Sequence, residues 1–232
     1  METLYLGDIH GNFDFVKWYV KAHRISDCNI IQVGDFGIGF KPNSEGYALE
    51  LLNKTLNDFN VTLYAIRGNH DNPAFFDGTF KEYDRIHFMP DYSTATIDGK
   101  NHLFVGGAIS IDRKYRIKGM SYWEDEAFVL DEEKLKGMTG IDVLVTHNSM
   151  AFLPPLSFNK MVLDYGSEDK TLLNELLEER ALITRMWDIL TKENGNEIGL
   201  HVFGHFHFDD TNFIDNTKHV LLGINRIYEH RH

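Results

Sequence analysis

Cysteine is nearly missing from the chain: Cys28 is the only one in 232 residues, which excludes an internal disulfide and any cysteine-built zinc cluster. A reducing compartment is the expected setting, and Cys28, heading the apolar run CNIIQV, reads as a buried thiol. Long hydrophobic runs are missing too. No stretch approaches the roughly 20 apolar residues that span a bilayer, so no membrane partner is expected. The opening METLYLGDIHG enters an apolar run without the basic segment and hydrophobic stretch of a secretory leader, and a cytoplasmic protein is the expectation. Positive charge is in deficit, with 23 Lys plus Arg against 35 Asp plus Glu and a formal net charge of -12. Such a surface repels polyanions, which argues against an extended nucleic-acid surface. A phosphate-bearing ligand would need local cations, from bound metal or a few placed arginines. Proline is scarce at 5 residues, and no Pro-, Gly- or Ser-rich linker, repeat or low-complexity tract divides the chain, so residues 1–232 are expected to form a single domain.

What is present in the first third is an alternation. TLYLGD (3–8), NIIQVGD (29–35) and TLYAIRGNHD (62–71) are short, β-rich and run into Gly beside a polar residue. Between them FDFVKWYVKAH sets Phe15, Val16, Tyr19 and Ala22 on one helical face, and GYALELLNKTLNDF does the same with Ala48, Leu51, Leu52 and Leu56. The spacing predicts βαβαβ with parallel strands and right-handed crossovers, so the loops after the strands open on one edge of the sheet. IHFM, STATIDG and NHLFVGGAISI (86–111) follow as consecutive strands and predict a second, mixed or antiparallel sheet. DEEKLKGM reads as a short helix, IDVLVTH (141–147) as a strand, and TLLNELLEERALITRMWDILTKEN as a long helix whose Met186 and Trp187 belong to the core. LHVFGHFH, a segment near TNFID, and KHVLLGI close the pattern as strands.

Five strand-terminal loops then line up: GDIHG (7–11), GDFG (34–37), GNHD (68–71), THN (146–148) and GHFH (204–207). Together they gather Asp8, His10, Asp35, Asn69, His70, His147, His205 and His207, and hold five of the 12 histidines. Carboxylate, imidazole and amide oxygen without thiolate suit hard or borderline divalent ions such as Mn, Fe, Zn or Ni, in numbers sufficient for two ions. A carboxylate can bridge two metals, and such a pair can activate a shared hydroxide while neutralising a phosphoryl oxygen. In LHVFGHFHFDD (200–210) an extended backbone would turn His205 and His207 to the same side. His23, His87, His102, His201, His219, His230 and His232 have no partner motif and read as surface or satisfied interior positions. GDFGIGF orders its glycines as G-x-x-G-x-G, and no Gly-Lys-Ser/Thr occurs, which argues against a nucleotide-phosphate loop.

The ordered series GDxHG, GD, GNHD, H, GHxH, from residue 7 to 207, resembles the calcineurin-like binuclear metallophosphoesterase family. The resemblance implies an α/β fold of two facing mixed β-sheets flanked by helices, a four-layer αββα sandwich. It implies two divalent ions, with Mn the expected choice in vitro: Asp8, His10 and His207 on one, Asn69, His147 and His205 on the other, and Asp35 bridging. His70 would stabilise the transition state or protonate the leaving oxygen, with Asp71 behind it to orient the ring. The implied function is hydrolysis of a phosphate mono- or diester, of a small molecule or nucleotide, by a metal-bridging hydroxide. The alternatives are a phosphodiesterase restricted to nucleotides or nucleic acid, and a non-catalytic metal-binding interaction module. One departure is visible: relatives acting on phosphoproteins carry an Arg after the second motif, where this chain reads GDFGIGFKP. Arg67, Arg113 and Arg116, beside Asn69, are the candidate substrate contacts in its place. Trp123, in GMSYWEDEAF, reads as packing, with a roof over the substrate pocket as the other option.

Overall fold

A computed structural model describes residues 2–40, 46–80 and 83–230; His232 lies outside them. The first third folds as β1 (Glu2–Leu6), α1 (Phe13–Ala22), β2 (Cys28–Gln32), α2 (Tyr47–Asp58) and β3 (Val61–Ala65). The three strands are neighbours and parallel, with Leu4 beside Ile30 and Ile30 beside Leu63. Helix α1 begins where the Asn12 side chain accepts the Phe15 N–H at 3.2 Å, satisfying one of the unpaired donors of a helix start. It buries Phe13, Val16 and Val20, with Phe15 and Tyr19 at the rim and Ala22 exposed, a stripe rotated slightly from the expected one.

Strand β4 (Ile86–Phe88) corrects the expectation for 86–111: it is parallel to β3, pairing Ile86 with Leu63, and so extends the first sheet. The second sheet starts one strand later, with β5 (Ser93–Ile97) and β6 (Lys100–Val105) as an antiparallel hairpin. After the short α3 (Glu132–Leu135) come β7 (Val143–Thr146), α4 (Lys160–Glu168) and α5 (Leu172–Asp188), which runs on into a π-helical turn at Ile189–Glu193. β8 (Leu200–Phe203), β9 (Asp210–Ile214) and β10 (Thr217–Leu221) complete the second sheet in the order β5-β6-β7-β8-β10-β9. The chain then returns, and β11 (Ile227–Glu229) pairs antiparallel with β1, giving the first sheet the order β11-β1-β2-β3-β4.

Side-chain alternation along each strand explains the layering. In β1, Leu4 and Leu6 face α1 and α2, whereas Tyr5 points to the other sheet. Between the sheets Tyr5, Ile31, Val33 and Ile66 meet Phe104, Val145, Val202 and Val220. On the far side Leu103, Leu144 and Phe203 pack under Ile183, Met186 and Leu190 of α5 and its extension. Strands covered on both faces read as unbroken apolar runs, and all five residues of β2, Cys28 included, are buried. The architecture is the αββα sandwich of two mixed sheets flanked by helices. Among the described residues no helix is long and apolar enough to cross a membrane.

Candidate active site

Five loops converge where the carboxyl ends of β1, β2 and β3 meet those of β7 and β8, so the two sheets build the site jointly. Their backbone is unusual. His10, Asp35, His205 and His207 all sit at positive φ, between 46° and 72°, a region that non-glycine residues occupy at a cost. Four of the seven expected metal ligands therefore hold a conformation that the surrounding structure must impose. His205 and His207 correct one expectation: β8 ends at Phe203, and the left-handed turns at both histidines, not an extended run, aim the two rings. The glycines before the polar residues let backbone lie directly on carboxylates. A Cβ on Gly68 would overlap Asp35 Oδ1, and one on Gly204 would overlap Asp8 Oδ1.

The side chains fall into two groups with Asp35 between them. In the first, His10 Nε2 lies 3.1 Å from His207 Nε2, and His207 Nε2 lies 3.3 Å from Asp8 Oδ2. In the second, Asn69 Oδ1 lies 3.2 Å from His147 Nε2 and 3.0 Å from His205 Nδ1. Asp35 Oδ1 is 3.3 Å from His147 Nε2, while Oδ2 is 3.7 Å from His10 Nδ1. One donor atom from each of Asp8, His10, Asp35 and His207 lies within 4.8 Å of the others. Ring nitrogens turned towards one another and towards the buried carboxylates of Asp8 and Asp35 form a donor set that suits a divalent cation.

Burial favours the uncharged form, with its lone pair free, in two of these four rings, His205 and His10. It holds His205 well below the usual imidazole range, with His147 adding to the effect, and it lowers His10 against the pull of Asp35 and Asp8. His147 goes the other way. Burial disfavours its charge, but Asp35 at hydrogen-bond distance and the charge of Asp8 outweigh that and raise it to about 9. Asp35 is buried, yet His147, His70 and His10 hold it well below the usual carboxylate range. The hydrogen bond to Asp8 raises His207. His147 Nδ1 is anchored 2.8 Å from the Val33 carbonyl, which leaves Nε2 facing the site.

His70 stands at the edge of the cluster. Its N–H donates to Asp35 Oδ1 at 2.8 Å, its Nδ1 lies 2.7 Å from His10 Nδ1, and its Nε2 touches Arg116 Nη2. The Phe40 ring covers it, with centroids 4.7 Å apart. Burial, helped by the Arg116 charge, pushes His70 down to about 4 despite Asp35.

Three of the expected site residues have their side chains engaged elsewhere. Asp71 does not face the His70 ring; its buried carboxylate accepts the N–H groups of Phe36, Gly37, Ile38 and Gly68 at 2.6 to 3.0 Å and ties two of the loops together. Arg67 is buried away from the site, paired with Asp91 at 2.7 Å and donating to the carbonyls of Asp125, Glu126 and Ala127. Arg113 is taken by Asp169 at 2.8 Å and by Glu175. Of the three arginines only Arg116 reaches the centre, held by Asp112 at 2.7 Å and by Ser110 Oγ at 2.8 Å. Trp123 is buried and packs 6.1 Å from the Phe40 ring, as expected of a packing residue.

Ser110 belongs to the site without a motif to announce it. Its hydroxyl accepts the Asn69 side-chain N–H at 3.0 Å, which turns Asn69 Oδ1 to His147 and His205. A cavity of about 730 Å³ opens over the cluster, with Asp35, Asn69, His70, Arg116, His205 and His207 in its floor.

A family model described as calcineurin-like phosphoesterase matches residues 1–209. The chain belongs to the calcineurin-like phosphoesterase family, a family of metal-dependent hydrolases. Among solved structures it is similar to a putative 5'-nucleotidase from Staphylococcus aureus, at 13% identity over 97% of this chain and 49% of that one, with a TM-score of 0.46. It is similar also to a phosphopantetheinyl hydrolase from Mycobacterium tuberculosis, at 15% identity over 97% and 90% of the two chains and a TM-score of 0.42. A dimetal phosphatase from Danio rerio matches at 13% identity over 96% and 87%, also with a TM-score of 0.42. No curated protein matches the sequence.

Proposed function

We propose that the chain hydrolyses a phosphate mono- or diester with the help of two divalent ions. Asp8, His10 and His207 would hold one, Asn69, His147 and His205 the other, and Asp35 both. The observation that carries this reading is the position of Asp35, buried, charged, and within 3.3 to 3.7 Å of a histidine in each donor group. Such ions, when bound, lower the pKa of water and neutralise phosphoryl charge. Both sheets contribute ligands, so in this reading the two act as one domain.

The protein's own groups do the rest. Arg116, fixed by Asp112 and Ser110, offers the cation that the second motif lacks and pairs with a non-bridging oxygen. His70, between Arg116 and Asp35, donates a hydrogen bond towards the leaving oxygen. Phosphate charge beside the ring favours its protonated form and so the transfer of a proton. The buried lone thiol, Cys28, supports the cytoplasm as the place of work.

The test uses Mn-loaded protein on p-nitrophenyl phosphate and on its bis ester. Turnover of one or both is expected, and refusal of both by protein with metal bound would overturn the reading. His70→Ala should keep its metal content and lose about 10²-fold or more in kcat, the scale of general acid catalysis. Elemental analysis and steady-state kinetics on the same sample check both halves.

A further inference from the structure

The cavity does not stop at the cluster. Away from Asp35 and His70 its wall is mostly aliphatic and aromatic, with Ile111, Leu156, Phe158, Met161, Val162 and Leu177 outweighing the polar Asn148, Ser157 and Asn159. Three of these are large apolar side chains left to water, with Leu156 73%, Met161 54% and Leu177 57% exposed. Helix α4 contributes no fully buried residue: Val162 and Tyr165 only lean on the small cluster of Ile109, Leu172 and Leu176, and Met161 is left exposed. We propose that the ester taken by this site carries an aliphatic chain, which lies along this wall while its phosphate sits at Arg116 and the histidine cluster. The proposal deepens the phosphoesterase reading and rests on it for the position of the phosphate.

Three observations point to an alkyl group over a sugar or a base. The cavity, at about 730 Å³, is far larger than a phosphate group needs. Hydroxyls of a sugar or the polar edge of a base would meet carbon at most of the wall and lose their hydrogen bonds to water without replacement. The charged groups of the lining are also committed. Asp112 pairs with Arg116, and Arg180 spends its guanidinium on the carbonyls of Met150, Leu153 and Pro155, at 2.7 Å to Met150 and 2.6 Å to Pro155. Arg180 is thereby a positioning residue: it fixes the loop that presents Leu156 before any ligand arrives, which spares the ligand the entropy of ordering that loop.

The experiment is a series of methyl-, butyl-, hexyl- and octylphosphonate, which cannot be hydrolysed at carbon, bound to the Mn-loaded protein and followed by calorimetry. Affinity should rise with length by about twofold to fourfold per methylene, as partial to full burial of each CH₂ requires, and level off once the chain leaves the cavity. Leu156→Gln, Met161→Gln and Leu177→Gln, combined, should flatten the series without changing methylphosphonate binding. Glutamine is chosen because a new carboxylate would repel the phosphonate for a separate reason. All three positions are exposed, so an unchanged thermal midpoint is expected of the variant. Methylphosphonate binding without gain from length, or an equal slope in the variant, overturns the aliphatic chain alone and leaves the phosphoesterase reading standing. No binding of any phosphonate, with p-nitrophenyl phosphate also refused, overturns both. A flat series with a dimer in light scattering that the triple variant breaks would give the wall to a second copy of this chain and overturn the proposal.

Discussion

Glu126 shows how one side chain ties stability to pH. It is 3% exposed; Oε1 accepts the Ser110 N–H at 2.8 Å, and Oε2 finds no hydrogen-bond partner among the described residues. Burial pushes its carboxyl from 4.5 up to about 7. A folded-state value above the unfolded one means that the native protein holds this proton more tightly, so stability is full below 4.5 and falls as pH rises through about 7. Glu126→Gln keeps an acceptor for Ser110 and removes the charge. It should stabilise the protein by about 1–3 kcal/mol at pH 8 and by nothing at pH 4.5, as urea unfolding at the two pH values would read. Ser110 shows, at the same scale, what the sequence hid. A serine five residues past a strand has no spacing to mark it, and its role depends on Asn69 arriving from elsewhere in the chain and on Arg116 folding back onto it.

At the scale of elements, Asp71 is a clasp between the loops after β2 and β3. Four backbone N–H groups converge on its two oxygens, a demand that the single acceptor of asparagine cannot meet. Asp71→Asn should therefore cost about 2–4 kcal/mol and lower the affinity for the ions, since Asp35 and Asn69 sit in those loops; urea unfolding and Mn titration check the two effects. Gly68→Ala should be as damaging to metal uptake, because the added carbon would displace Asp35. The elements themselves were largely legible. Short β-rich apolar runs mark β1 to β3, which are covered on both faces, and helical spacing marks α1, α2 and α5, which bury one clear face. Helix α4 escaped for the opposite reason, having no fully buried side chain to set a period. The pattern puts β4 in the wrong sheet because three residues carry no mark of their partner. The arginines could not be sorted either: Arg67, Arg113 and Arg116 look alike in one dimension, and what separates them is whether Asp91, or Asp169 and Glu175, or the histidine cluster stands opposite.

For the molecule as a whole, the site joins loops from both sheets, so in the two-ion reading the ions should act as a staple. Each ion bound only by the folded state adds about 2.7 kcal/mol when its concentration is 100 times its dissociation constant. Mn should raise the thermal midpoint and a chelator should lower it. Asp35→Asn should bind fewer than two ions per chain and lose most of that rise, which elemental analysis and calorimetry would show together.

The residues that face one another across this seam are distant in the chain: His10 and His207, 3.1 Å apart, are separated by 197 positions. During synthesis β1 to β4 of the first sheet leave the ribosome long before the histidines that complete the cluster. In the two-ion reading, a nascent polypeptide stalled before β8 would carry an open half-cage, so the capacity to capture cations should switch on late and abruptly.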